Sequence, residues 1–392
     1  MTRTYDCIVL GAGVYGLATA RQLASDGRSV LVLDRSPVGR EASGYALGRL
    51  DPLLGGIGSA HRPGAEVDKG LLTKRSAEAQ LGLAGYNRHL SEYEDICAVS
   101  GIDYQLDHQP TLQLCDTPEL RAAAEASLEE WNAAGFKSEA LEPSDIKRLD
   151  KRINAPEFGG VLVYGPVFID SLKFVLALAE CAKSAGATLV QTQVDGLEFG
   201  GGSTKVITGD GGHSAQDVVV AFGPWTRTFL EGAGVDVPIY PSKGEILRMT
   251  PPEGGPLGVH VHGPCSLVNK RDGLFWVAAT ARDEEFDRTP TDWARQKLVA
   301  NALQMIPAMS GSEISQHTVC FRPATPDGLP ILGRVPVAGN VLVASGGGGS
   351  GIMQCLEIGR QAAAMVKNGK PEPESPEISP ARFAPDGSSP SA

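Results

Sequence analysis

The apolar run Asp6 to Leu10 stops at Gly11-Ala12-Gly13-Val14-Tyr15-Gly16, and that glycine turn restricts the fold more than any other stretch of the chain. The run before it is strand-like, Leu17 to Ser25 has helical spacing, and Val30 to Leu33 is a second strand ending on Asp34. Strand, glycine turn, helix and strand in this order make a βαβ unit. Gly11 makes the tight turn, Gly13 lets the backbone approach a pyrophosphate, and Gly16 lets helix and strand pack closely. The helix N-terminus then faces the anion, and Asp34 is set to accept from a ribose hydroxyl. A carboxylate there repels a 2′-phosphate, which argues against NADP but does not separate NAD from FAD.

The pattern is then interrupted twice and resumed twice. Gly39 to Gly64 is glycine-rich loop that includes Gly55-Gly56-Ile57-Gly58, and Asp68 to Ser100 and Pro118 to Ala134 have helical spacing of Leu and Ala. Val161 to Tyr164 is strand-like, Ser171 to Ser184 is an amphipathic helix, and Thr188 to Val194 is a strand. A meander from Gly196 to Ile207 leads to the apolar strand Asp217 to Ala221. Short alternating runs from Val237 to Thr280 predict an antiparallel sheet, and Asp292 to Met305 a helix before Pro307. Near the C-terminus a strand-like run through Cys320-Phe321-Arg322-Pro323 leads into Thr325-Pro326-Asp327-Gly328, and a second glycine turn, Gly346 to Gly351, opens a helix. Two interleaved domains are expected, with 371–392 a Pro- and Ser-rich tail, disordered beyond about residue 384.

A net charge of -11 argues against nucleic acid or an anionic membrane as partner, since either needs clustered Lys and Arg. The Cys count of 7 is odd and no two form a CxxC pair, which indicates neither a disulfide framework nor a zinc cluster, and no metal is expected. No stretch reaches the length of a membrane span, and Ile8-Val9-Leu10 runs into glycines without the pattern of a secretory leader. A cytoplasmic chain with a small-molecule partner is the expectation, with homo-oligomerisation left open.

Arg322-Pro323 and Thr325 to Gly333, followed by Gly346 to Gly351 and Ile352-Met353-Gln354, resemble the FAD-dependent D-amino-acid oxidase, glycine oxidase and sarcosine oxidase superfamily. Glu41-Ala42-Ser43-Gly44, Phe222-Gly223-Pro224-Trp225, Pro241 to Glu245 and Arg271-Asp272-Gly273 are similar too, so the likeness runs across most of the chain. The resemblance implies an α/β fold with a Rossmann-like FAD-binding domain over 1–84, 145–235 and 316–370. This is interleaved with an α+β substrate-binding domain over 85–144 and 236–315, built on an antiparallel sheet. It implies FAD as cofactor, held at the first turn by Gly11, Gly13, Val14, Tyr15, Gly16, Asp34 and Arg35. Ala42, Ser43, Leu47, Gly48 and Arg49 follow in the loop over the pyrophosphate, and Val194, Gly223 and Trp225 in the second nucleotide-binding stretch. Gly347, Gly348, Gly349, Ser350, Gly351, Ile352 and Met353 make the turn at the flavin edge. There a helix N-terminus supplies N–H groups and positive dipole to the electron-rich edge of a reduced flavin.

In the amino-acid oxidase branch the arginine at the Arg322 position clamps the substrate carboxylate, a task that suits the guanidinium fork. An ion pair with Asp327 is the structural alternative for it. Cys320 stands where sarcosine and fructosyl-amino-acid oxidases carry covalent flavin, although a buried apolar cysteine is the commoner state. His260 and His262 alternate on one strand, so they share a face, as catalytic, substrate-pocket or structural residues. Tyr45, Arg49, Tyr240, Asn269 and Trp276 are pocket candidates through the motifs around them. Gly347 departs from the His or Phe of many relatives, and Met353 from the lysine of sarcosine oxidases.

The function so implied is an FAD-dependent oxidase or dehydrogenase that oxidises the C–N bond of an amino acid or secondary amine carrying a carboxylate. Hydride passes to flavin N5, and oxygen or an electron acceptor takes the electrons onward. A 2-hydroxy-acid dehydrogenase with His260 or His262 as base is one alternative. A flavin-carrying subunit or assembly factor without turnover of its own is another.

Overall fold

Strands that are apolar on both faces must be covered on both, and the first sheet is built from such strands. The structure, a computed structural model, describes residues 4–52, 77–200, 202–209, 211–283, 286–335, 338–370 and 373–383. Five parallel strands run in the order Ala338–Ser345, His213–Val220, Thr4–Leu10, Val30–Asp34 and Thr188–Gln191. The antiparallel strand Ile331–Val335 flanks the first of them. Val9, Val32, Val219 and Leu342 point into a core shared with helices Val14–Ser25, Ser171–Ser184 and Gly351–Asn368. Helix Ala77–Ser100 packs over the outside of that layer. Their neighbours Ile8, Leu10, Leu31, Val218 and Val220 point the other way, towards the hairpin Val194–Gly200/Ser203–Thr208 and the short helix Thr226–Glu231.

Among the described residues the second sheet has nine strands and is mostly antiparallel. Its spine runs Tyr240–Met249, Phe275–Ala278, Ser266–Asn269 and His260–His262, then crosses to Thr111–Leu114 and Gly160–Val163. The crossing pair is parallel, with His262 opposite Gln113. The long strand Ile314–Ala324 pairs with the other edge of Tyr240–Met249. Helix Asp292–Met305 buries Leu298, Ala302 and Met305 against Leu247, Phe275 and Val277 on one face of this sheet.

The chain therefore visits the two sheets alternately, and the expected interleaving is the observed one. Gly160–Val163 lies within a stretch read as nucleotide-binding, yet it bonds into the second sheet, as does most of Ile314–Ala324. The loop Gly55 to Gly58, the beginning of the helix read from Asp68, and the tail beyond Phe383 lie outside the described residues. Among the described residues, no helix is long and apolar enough to cross a membrane.

The first and last helices of the nucleotide-binding layer touch at a glycine. A Cβ on Gly359 would stand 2.6 Å from that of Ala18 and 2.9 Å from the Thr19 nitrogen. Rigid backbone on the other side leaves such a methyl no room to move. Gly359→Val is expected to lower the unfolding free energy by about 1–3 kcal/mol through overpacking, as measured by urea denaturation.

Candidate functional site

A cavity of about 1280 Å³ opens beyond the C-terminal ends of the parallel strands and reaches the second sheet. Pockets for one small molecule span roughly 300–1,000 Å³, so this one has room for a dinucleotide and a second molecule. Of the sequence-read residues, Gly13, Val14, Tyr15, Asp34 and Arg35 border it beside the first turn. Ala42, Ser43, Leu47, Gly48, Arg49, Val194, Gly223 and Trp225 border it too, as do Gly347 through Met353.

The two ends of the first turn are fixed by close backbone contact. Gly11 has φ +112°, and a Cβ there would run into the Ala221 carbonyl, while one on Gly16 would run into the Gly11 carbonyl. Gly11 and Gly16 therefore shape the turn and do not themselves line the cavity. The Asp34 carboxylate accepts from the Ala12 N–H at 2.7 Å and the Ser36 N–H at 2.8 Å, which ties the turn to the end of the second strand. Burial raises its pKa, and these two N–H groups act in the opposite direction.

The second turn faces the same cavity. Gly346 and Gly348 have positive φ, and the Gly348 N–H donates to the Pro323 carbonyl at 2.8 Å, which seats the turn against the strand that carries Arg322. Neither Gly13 nor Ser350, the N-cap residues of the two helices, caps with its side chain. Two helix N-termini thus point towards one space, each worth roughly half a positive charge. The departure at Gly347 has a steric reason: a Cβ there would overlap the Tyr15 hydroxyl, which donates to the Gln354 side-chain oxygen at 3.2 Å.

Alternation along Ile314–Ala324 brings Cys320, Arg322 and Ala324 to the cavity wall. The Arg322 guanidinium lies across Gly244 on the paired strand, where a Cβ would stand 2.6 Å from its Cζ, and Nη1 donates to the Thr280 carbonyl at 3.0 Å. Asp327 does not pair with Arg322: Arg382 takes it, with N–O distances of 2.7 and 3.2 Å. Burial pushes the Cys320 thiol up in pKa, with Arg322 acting against it.

The two histidines separate. Both rings pack against Phe168, but only His262 borders the cavity. His260 is fully enclosed with Nε2 3.5 Å from Asp107, and its burial holds the imidazole below its ordinary pKa despite that carboxylate. His262 Nδ1 lies 2.6 Å from the Ser266 hydroxyl, and burial holds this ring well below its ordinary pKa, so it is neutral.

Of the weaker pocket candidates, Tyr240 and Arg49 border the cavity. Arg49 pairs with the buried Asp51 at 2.7 Å. Tyr45, Asn269 and Trp276 do not border it. Asn269 spends its amide on the Leu257 carbonyl and Gln109, and Trp276 donates to Asp272 with the Arg248 guanidinium 3.9 Å over its ring. The sequence reading missed Gln113, Ser266 and Asn301, which border the cavity from the second sheet and its helix. A polar residue inside the apolar strand Thr111-Leu112-Gln113-Leu114 was the available signal for one of them.

A family model described as FAD dependent oxidoreductase matches residues 6–365. Glycine oxidase of Bacillus licheniformis is 26% identical over 371 residues, with 93% of this chain and 94% of that protein covered. D-amino acid dehydrogenase of Cereibacter sphaeroides is 27% identical over 418 residues, with 97% and 96% covered. The crystal structure of glycine oxidase from Geobacillus kaustophilus matches with a TM-score of 0.86 at 25% identity, over 98% of this chain and 100% of that one.

Beneath the loop that carries Leu47 to Arg49, the Lys270 ammonium donates to the carbonyls of Leu47 at 2.5 Å and Ile169 at 2.8 Å. Loss of hydration lowers its pKa to about 8, while Asp170, Asp107 and Asp272 act the other way. Between that value and its ordinary one, the folded chain has released a proton that the unfolded chain still holds. Unfolding takes up a proton there, and stability rises with pH across this window. Urea denaturation at pH 7.5 and pH 10 is expected to show a rise of about 2–3 kcal/mol from this group, missing in Lys270→Met.

Proposed function

The chain belongs to the DAO family of FAD-dependent oxidoreductases, and on that basis we propose that it oxidises the C–N bond of an amino acid or secondary amine carrying a carboxylate. The observation that carries the reading is Arg322, whose strand brings it to the wall of a cavity faced by two helix N-termini.

FAD fits what borders that cavity. The first helix N-terminus with Gly13, Val14 and Ser43 suits the pyrophosphate, Asp34 the adenosine ribose, and the Gly347 to Gly351 turn the flavin edge. When bound, FAD supplies the two-electron acceptor: the carbon beside the amine loses its hydrogen as hydride, and the nitrogen lone pair closes an imine.

The chain's own residues orient the substrate and set the field around it. Arg322 holds the carboxylate, with its guanidinium steadied by the Thr280 carbonyl and by the flat surface that Gly244 leaves. The helix at Gly351 lowers the cost of negative charge at the flavin edge. An amine bound neutral needs no general base. His262 is neutral, and Ser266 sits against its Nδ1, so the ring serves the wall of the pocket. Seven unpaired cysteines fit a reducing, cytoplasmic setting.

Anaerobic mixing with amino acids, secondary amines and 2-hydroxy acids tests the reaction by loss of flavin absorbance. Amino acids or amines are expected to bleach the flavin. Bleaching by hydroxy acids alone would overturn the proposal, and bleaching by none would mark a subunit without turnover. Arg322→Met is expected to lower kcat/KM about 10- to 100-fold, the loss of one charge-assisted contact of roughly 1.5–3 kcal/mol. Because the Cys320 thiol stays protonated, acid precipitation of the wild-type protein is expected to leave flavin in the supernatant; flavin in the pellet would mean a covalent bond.

A further inference from the structure

We propose that Arg288 is a cofactor-site residue, a countercharge that keeps the Glu41 carboxylate at the edge of the cavity from repelling the FAD pyrophosphate. The proposal rests on FAD as the cofactor of the family and not on the C–N oxidation reading. Glu41 borders the cavity together with Asp34, Ser36 and Ser43. It stands two residues before Ser43, whose Oγ accepts from the Val14 N–H at 3.2 Å, at the helix start that suits the pyrophosphate. Its Oε1 accepts from the Ser36 hydroxyl at 3.1 Å. Burial first, and then the charge of Glu41, raise the pKa of Asp34, so the field of this carboxylate reaches the ribose end of the site. A negative charge so placed opposes an anionic ligand unless it is neutralised.

The neutralising group comes from the other layer. Arg288 lies between strand Arg282–Asp283 and helix Asp292–Met305, and its Nη2 donates to both oxygens of Glu41, at 2.7 and 2.6 Å. Three contacts seat the segment that carries it. The Lys243 ammonium, 1% exposed, donates to the Thr289 carbonyl at 2.9 Å. The equally buried Glu245 carboxylate accepts from the Thr291 N–H at 2.8 Å and from its hydroxyl at 2.7 Å. Phe286 stacks on Trp225 with ring centroids 5.0 Å apart. Lys243 and Glu245 flank Gly244, across which the Arg322 guanidinium lies, so one strand seats both arginines. The Arg288 side chain is 49% exposed, and an ion pair this open adds little to folding stability. Its charge nevertheless reaches the cavity wall: burial and Glu41 raise the Cys320 thiol in pKa, while Arg322 and Arg288 lower it.

Dilution of the holoenzyme through a concentration series, followed by the fluorescence of released flavin, gives the FAD dissociation constant without turnover. At low ionic strength Arg288→Gln is expected to raise that constant about 2- to 5-fold, the effect of one partly screened charge. Glu41→Gln is expected to hold FAD at least as tightly as the wild type, and the double variant to return to the wild-type value. The order then follows the net charge of the pair, and the differences shrink in about 0.5 M NaCl. Wild-type affinity in Arg288→Gln would overturn the proposal. So would a double variant as weak as Arg288→Gln, which would make the arginine a tie between layers and not a countercharge. Since no substrate enters this measurement, its failure leaves the C–N oxidation reading intact, and failure of the bleaching experiment leaves the countercharge intact.

Discussion

The contact on which the site depends is the close packing of the first nucleotide-binding helix against the last. Gly359 lies against Ala18, and Gly347 leaves the space that the Tyr15 hydroxyl fills on its way to Gln354. These contacts bring the starts of two helices from opposite ends of the chain to one cavity. A larger side chain at either glycine would separate the helices, and the two positive ends would no longer act on one ligand. Part of the positive potential of the site therefore comes from backbone, in a chain whose side chains sum to -11. Backbone dipoles keep their sign at any pH and have no rotamers to lose, which suits a pocket for an anionic dinucleotide.

What could be read from sequence was whatever local chemistry decides. The glycine turn at Gly11, helix Ser171–Ser184 and helix Asp292–Met305 follow from periodicity, caps and breakers; the limits of these two helices match the reading, while the first helix starts at Val14, inside the stretch read as turn. The place of Arg322 follows from alternation on its strand together with the motif that comes after it. Residues set by contacts across the two sheets were harder. His260 and His262 look equivalent as alternate residues of one strand, and Asp107 and Phe168, from far away in the chain, make one a core residue and the other part of the wall. Asn269 and Trp276 sit in motifs of the right kind but turn to backbone carbonyls and Asp272. Asp327 was the near partner for Arg322 in sequence, and the C-terminal Arg382 claims it in space.

Two polar side chains of the second sheet's layer, Gln113 and Asn301, show how a cavity wall can be ordered by backbone carbonyls. Once an amide nitrogen is tied to a neighbouring carbonyl, the direction of its oxygen is no longer free, and the group is oriented before any ligand arrives. The loop from Leu47 to Arg49 is held in a similar way from below, by the Lys270 ammonium on the Leu47 carbonyl. Both devices anchor a surface through main-chain oxygens that would otherwise need water.

The alternation of the chain between its sheets also sets an order of assembly. Strand Thr4–Leu10 is followed early by Val30–Asp34, but its other neighbour, His213–Val220, comes about two hundred residues later, and Ala338–Ser345 later still. During synthesis from the N-terminus, the first helix must wait for Gly351–Asn368 before its buried face is covered. The cofactor turn made first is thus completed last, and an interrupted chain would expose an apolar helix face and an open strand edge together, the kind of surface that chaperones hold.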